Sequence, residues 1–139
     1  MQFYLYLVDD HSKSFYEEAR KEYEKRLSRY CKLKVIKVKN IEYIEKKLKE
    51  EKTICLLSPG KNVLSSEALA EEILKSEVQG KSSASFLIGS SFPSDFLEGK
   101  EIKTFSISPM DFSQGLLSAV FLEQIYRAYR IIKKEPYHK

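Results

Sequence analysis

At 139 residues, with an apolar share of 42% and a charged share of 32%, the chain fits one domain whose core needs neither disulfides nor metal. No apolar run approaches the roughly 20 residues that span a bilayer, and two cysteines with two histidines support neither a disulfide framework nor a histidine-based metal cluster. The net charge of +4 is compatible with a nucleic-acid partner without being diagnostic of one.

In chain order, residues 3–8 form a continuous apolar run that reads as a first strand. The start lacks the basic region of a signal peptide, so the cytoplasm is the expected compartment. Residues 14–30 read as a helix with Phe15, Ala19, Tyr23 and Leu27 along one face. Residues 33–38 alternate Leu33, Val35 and Ile36 with lysines, as in a strand near a sheet edge. Asn40 is placed to cap a short helix over 41–51, with Ile41, Ile44 and Leu48 on its apolar face. Residues 53–57 are apolar after Thr53 and read as a central strand running into the loop Ser58-Pro59-Gly60-Lys61.

Ser65 then caps a helix with a carboxylate in its first turn. Residues 84–88 form a fourth strand ending in Gly89-Ser90-Ser91, and 103–107 a fifth. A long final helix over 113–133 buries Leu116, Leu117, Val120, Phe121, Ile125 and Ile132. Such alternation predicts a single α/β domain over residues 1–139, a parallel sheet with helices on both faces. Cys31 and Cys55 are expected to be buried, reduced thiols.

Between Ser12 and Lys39 ten basic residues stand against four acidic ones. That excess suits either a solvated helix face, with pairs such as Glu17–Lys21 and Glu22–Arg26, or a phosphate-contacting surface. In a parallel sheet ligands bind at the carboxyl ends of strands. The loops 56–61, 87–91 and 106–112 are expected to converge there, each after a central strand. None is a P-loop or a GxGxxG turn, and there is no nucleophile elbow. The chain closes on Pro136-Tyr137-His138-Lys139, a phenol, an imidazole and an ammonium after a helix-stopping proline.

Five features stand in an order that resembles one family: Gly60-Lys61 with Ser65-Ser66, Leu87-Ile88-Gly89, Phe105-Ser106-Ile107-Ser108, the helix Leu122-Glu123-Gln124-Ile125-Tyr126-Arg127-Ala128, and Pro136-Tyr137-His138. They resemble the SPOUT-class methyltransferases of the bacterial large-subunit (23S) ribosomal RNA pseudouridine N3-methyltransferase family, over the whole chain. The resemblance implies a C-terminal deep trefoil knot, S-adenosyl-L-methionine as cofactor, a homodimer, and ribosomal RNA, on the ribosome, as substrate, with no metal and no membrane. It further implies that Leu56, Leu57, Gly89, Ser90, Ser108, Pro109, Met110, Asp111, Phe112 and Ser113 line the cofactor, and that Tyr137, His138 and Arg127 serve the substrate. Three positions differ from the family pattern: Ser90 replaces the second glycine, Ser113-Gln114 a Pro-His turn, and Ser118 an early arginine of the last helix. The alternative function is a ribosome- or RNA-binding module that keeps the knotted fold without catalysis.

Overall fold

The computed structural model of this chain describes residues 1–48, 53–57, 60, 62–89 and 101–139. The alternation runs β1 (Gln2–Val8), α1 (Ser14–Leu27), β2 (Lys32–Val38), α2 (Glu42–Leu48), β3 (Thr53–Leu57), α3 (Ser66–Val78), β4 (Ser83–Ile88), β5 (Glu101–Phe105) and α4 (Gln114–Ile132). The strands form one sheet in the order β2-β1-β4-β3-β5, and every neighbouring pair is parallel. The interior place of β1, β3 and β4 follows from their apolar runs, since a strand covered on both faces has no need to alternate.

Phe3, Leu5 and Leu7 point to one face of β1, and Tyr6 and Val8 to the other. The first face holds the main core, where Phe3, Phe86, Phe121 and Tyr129 meet at ring separations such as 4.8 Å for Phe86–Phe121. Each such fully buried side chain contributes about 1.5–3 kcal/mol. Helix α4 packs against both α1 and α3 on that face. The opposite face carries α2, whose Leu48, with Ile41 just before it, covers Tyr6, Val8 and Leu87. Helices therefore flank both faces, unevenly.

Caps set the helix starts. Ser65 Oγ accepts from the Ala68 amide at 3.0 Å, Ser113 Oγ from the Leu116 amide at 3.4 Å, and Asn40 Oδ1 from the Glu42 amide at 3.1 Å. The last of these starts α2 at Glu42, so Ile41 precedes the helix; its expected end at residue 51 lies outside the described residues. Helix α1 stops at Leu27, three residues short of the expected end.

Several expectations are corrected. The fifth strand is Glu101–Phe105, earlier than 103–107, and it lies at the sheet edge rather than in the centre. Lys103, exposed in its middle, is the edge signal. Phe15 is 57% exposed and Leu116 40% exposed, although both fall on the apolar stripes of their helices. Both stand in the first turn, where the helix runs past the core that the later turns cover. Cys31 is buried, with burial pushing its thiol up to about 11, and Cys55 is half-buried.

Candidate active site

The first turn of α4 is tied to the strand ends. Gln114 Nε2 donates to the carbonyls of Val8 at 2.9 Å and Ile88 at 3.1 Å, the last residues of β1 and β4. One residue on, a Cβ at Gly115 would stand 2.5 Å from both Ser12 Cβ and Tyr16 Cδ2. Only glycine lets the helix come this close to the loop after β1.

The loops after β3 and β5 are zipped together. Gly60 N–H donates to Ser108 O at 3.3 Å, Ser106 N–H to Asn62 O at 3.1 Å, and Leu64 N–H to Ser106 O at 3.0 Å. Gly60 and Asn62 take left-handed backbone, with φ of 86° and 52°, to make that turn.

Beside this zipper Leu57, Ile107, Ser108, Met110, Asp111, Phe112 and Leu117 line a narrow slot with about 10 Å³ of free space, room for one water. Five of the ten residues expected at the cofactor are thus brought together. Of the others, Ser113 caps α4, Pro109 is an exposed residue of the same turn, Gly89 directly follows β4, and Leu56 belongs to β3. Ser90 lies outside the described residues, as do Ser58, Pro59, Lys61 and 91–100. The slot itself has no room for a nucleoside, but its lining has the chemistry for one face of such a ring: apolar side chains of Leu57, Ile107 and Phe112 for a flat ring, and a strand-end turn for its polar edge. Met110, 74% exposed, forms the slot's outer lip rather than its core. Ile107 also borders a hollow of about 220 Å³ between Ser65, Ser66, Phe121 and Gln124.

The C-terminal segment is docked, not frayed. Lys134, at φ 56°, turns the chain back after α4, and the Glu135 amide donates to Arg130 O at 2.8 Å. Arg130 then holds Glu135 at 3.0 Å and donates to Pro136 O at 2.8 Å. The Tyr137 ring meets Tyr126 edge-on at 5.0 Å and lies 4.9 Å from the Arg127 guanidinium carbon, while its hydroxyl donates to Glu123 at 3.0 Å. Burial, then that hydrogen bond, pushes the phenol up to about 12. Tyr137 is a proton donor at neutral pH and a packing element, never a base there.

Arg127 is clamped by Glu123 at 2.9 Å, the helical pair its spacing suggested. Its other nitrogen, Nη1, reaches His138 Nδ1 at 3.3 Å, and His138 Nε2 lies 2.5 Å from Glu67 Oε1. A guanidinium only donates, so Nδ1 accepts and the ring proton sits on Nε2, facing the carboxylate. The three substrate-side residues do stand together. Sequence reasoning missed Glu67 as the partner of His138; 71 residues apart, the two carry no spacing signal.

The basic stretch resolves into paired and free charges. Arg20 is 2% exposed and cannot meet phosphate: it donates to Ser118 Oγ at 2.8 Å and stands 3.8 Å from Asp10. Lys37 pairs with Asp10 and Glu17, Arg26 with Glu22, and Lys21 with Glu17. Lys13, Lys25, Lys32, Lys34 and Lys39 are exposed. Burial disfavours the charge on Asp10, but hydrogen bonding from Ser12 and the charges of Arg20 and Lys37 outweigh it and hold the carboxyl below its ordinary range. Among the described residues no cluster of potential metal ligands occurs, and no helix is long and apolar enough to cross a membrane.

A family model described as "Predicted SPOUT methyltransferase" matches residues 1–138. The chain is 39% identical to "Ribosomal RNA large subunit methyltransferase H 1" of Thermoanaerobacter sp. (strain X514), covering 100% of both chains. It is 38% identical to "Ribosomal RNA large subunit methyltransferase H" of Clostridioides difficile, over 85% of this chain and 87% of that one. A relative of the same name from Acetivibrio thermocellus is 34% identical, over 90% and 91%.

Proposed function

The chain belongs to the SPOUT methyltransferase family, and we propose that it methylates large-subunit ribosomal RNA, at N3 of a pseudouridine, using S-adenosylmethionine. The observation that carries the reading is likeness from end to end to proteins named as ribosomal RNA large subunit methyltransferase H. The ordered tail supports it: Tyr137, His138 and Arg127 are gathered at one place. The trefoil knot, the homodimer and action on assembled ribosomes in the cytoplasm belong to the same proposal and rest on the family resemblance.

The cofactor would be held by Leu56, Leu57, Gly89 and residues 107–113, together with Ser90, which lies outside the described residues, and would supply an electrophilic methyl group on a sulfonium. What the chain itself must do is orient the base, exclude water and remove the N3 imide proton. His138, whose Nδ1 faces the Arg127 donor and so carries the lone pair, is the base. Arg127 is the cation for an RNA phosphate or a developing oxyanion, and the slot leaves space for no more than about one water.

Calorimetric titration with S-adenosylmethionine, followed by methyl transfer to undermodified ribosomes, tests this. Binding that Gly89→Val abolishes, with transfer that His138→Ala lowers about a hundredfold at unchanged cofactor affinity, is the expected result. Absent binding, with and without ribosomes, would leave the non-catalytic RNA-binding module. Full turnover by His138→Ala would remove that residue's role.

A further inference from the structure

The contact between His138 and Glu67 is not needed to hold the fold together. Glu67 is 60% exposed on the first turn of α3, and a surface pair of this kind adds little to stability. Its geometry is nonetheless specific. The ring is gripped at both nitrogens, by a donor on the Nδ1 side and a carboxylate on the Nε2 side. The carboxyl of Glu67 is held below its ordinary range, by its own amide at the helix start and then by His138, so it is an ionised acceptor.

We propose that Glu67 is the positioning residue of His138: it holds the ring through Nε2–H, leaves Nδ1 as the basic nitrogen, and stabilises the imidazolium formed when Nδ1 takes a substrate proton. The inference rests on the methyltransferase reading. Arg127 occupies Nδ1 in the substrate-free arrangement, and an RNA phosphate draws it away, freeing the lone pair. The N3–H bond of the base then breaks and its proton passes to Nδ1. The electron pair left on N3 bonds to the methyl carbon, whose bond to sulfur breaks with that pair staying on sulfur. The imidazolium later returns the proton to water. Throughout, the Nε2–H stays on Glu67, the role a carboxylate plays behind a histidine base in hydrolytic triads. Among the described residues the ring contacts Glu67 from α3 and Arg127 from α4, with Glu123 behind Arg127; Tyr137 and Lys139 flank His138 in the chain.

The chain has two histidines, so ring nitrogen–proton correlation spectra of ¹⁵N-histidine-labelled protein contain two patterns, and His11→Asn assigns them. Wild type should show His138 protonated on Nε2. Glu67→Ala should lose that pattern for a tautomer mixture, while Glu67→Gln, whose amide oxygen still accepts, should keep it. In transfer to ribosomes, Glu67→Ala should lower kcat about tenfold with unchanged KM and cofactor affinity, and Glu67→Gln should fall between. A wild-type ring protonated on Nδ1 would overturn the proposal, as would a Glu67→Ala variant with an unchanged ring pattern or unchanged kcat. If wild type neither binds S-adenosylmethionine nor transfers methyl, the methyltransferase reading fails. The ring pattern then decides by itself whether Glu67 holds His138.

Discussion

Replacing Arg20 with leucine should be among the more damaging single changes in α1. The guanidinium is buried, bonded to Ser118, and faces an Asp10 side chain that is itself only 1% exposed. Removing one partner of a buried pair leaves an uncompensated charge and costs about 3–5 kcal/mol. Lys37, 3.7 Å from Asp10 and half-exposed, remains and moderates the loss, so the low end, about 3 kcal/mol, applies. At about 2.1 cal/mol/K of unfolding entropy per residue, a 139-residue chain would lose roughly 10 °C in Tm. Thermal melts followed by circular dichroism give the number.

The pH dependence carries a second check. A carboxyl whose folded value is depressed, as Asp10's is, contributes stability that is present above the unfolded value of about 3.9 and lost as pH falls through the folded one. The Tm gap between wild type and variant should therefore be full at pH 7 and close below about pH 4. Adding Asp10→Asn to Arg20→Leu should recover part of the loss, because no buried charge is then orphaned. A Tm loss under about 3 °C, or a gap constant from pH 7 to about 3, would refute this account of the cluster.

Gly115→Ala forces a methyl group against Ser12 and the Tyr16 ring at 2.5 Å; it should cost about 1–3 kcal/mol, read as a urea midpoint shift. Gln114→Leu strips the Val8 and Ile88 carbonyls of their shared donor. A loss of about 1–3 kcal/mol together with weaker S-adenosylmethionine binding by calorimetry is expected, since the turn before α4 then loosens. Tyr137→Phe keeps the ring contact with Tyr126 and loses the hydroxyl's bond to Glu123 and its interaction with Tyr23. The raised phenol stabilises wild type below the unfolded value of about 10, and that advantage is lost as pH rises through about 12. The stability difference should be under about 1.5 kcal/mol near neutral pH and vanish in strong alkali.

Much of the fold was readable because period and burial coincide. The apolar runs of β1 and β3 marked interior strands, and the lysines alternating through β2 marked an edge. Register and order were not readable, because parallel neighbours share no turn between them: nothing local tells β3 to lie between β4 and β5. Exposed Lys103 would have flagged β5 as the second edge had its start been set at Glu101. The stripes of α1 and α4 overreached at Phe15 and Leu116, since a helical period states direction but not how far the core extends. Arg20 was counted among surface cations because charge composition carries no burial. At the site, the slot residues were found through order and flanks and the Glu123–Arg127 pair through its i,i+4 spacing, whereas Glu67 completes the tail only through folded proximity.

The departures from the family pattern near the last helix are structured substitutions rather than erosion. Ser113 accepts from the Leu116 amide and so caps α4, a role a hydroxyl performs with one of the four unpaired amides at a helix start. Gln114 uses its two amide protons on carbonyls of two different strands, a geometry that the single ring N–H of a neutral histidine at that place could not supply. Ser118, where the resemblance leads one to expect an arginine, is fully buried and receives a guanidinium from Arg20 of the neighbouring helix, passing its own proton to Gly115 O at 2.7 Å. A cation is thus present at this point of α4, delivered from α1 and balanced by Asp10. Loss of function by drift would leave orphaned groups at these positions; here each new side chain has a partner, and the partners hold the turn from which the 106–113 segment reaches the slot.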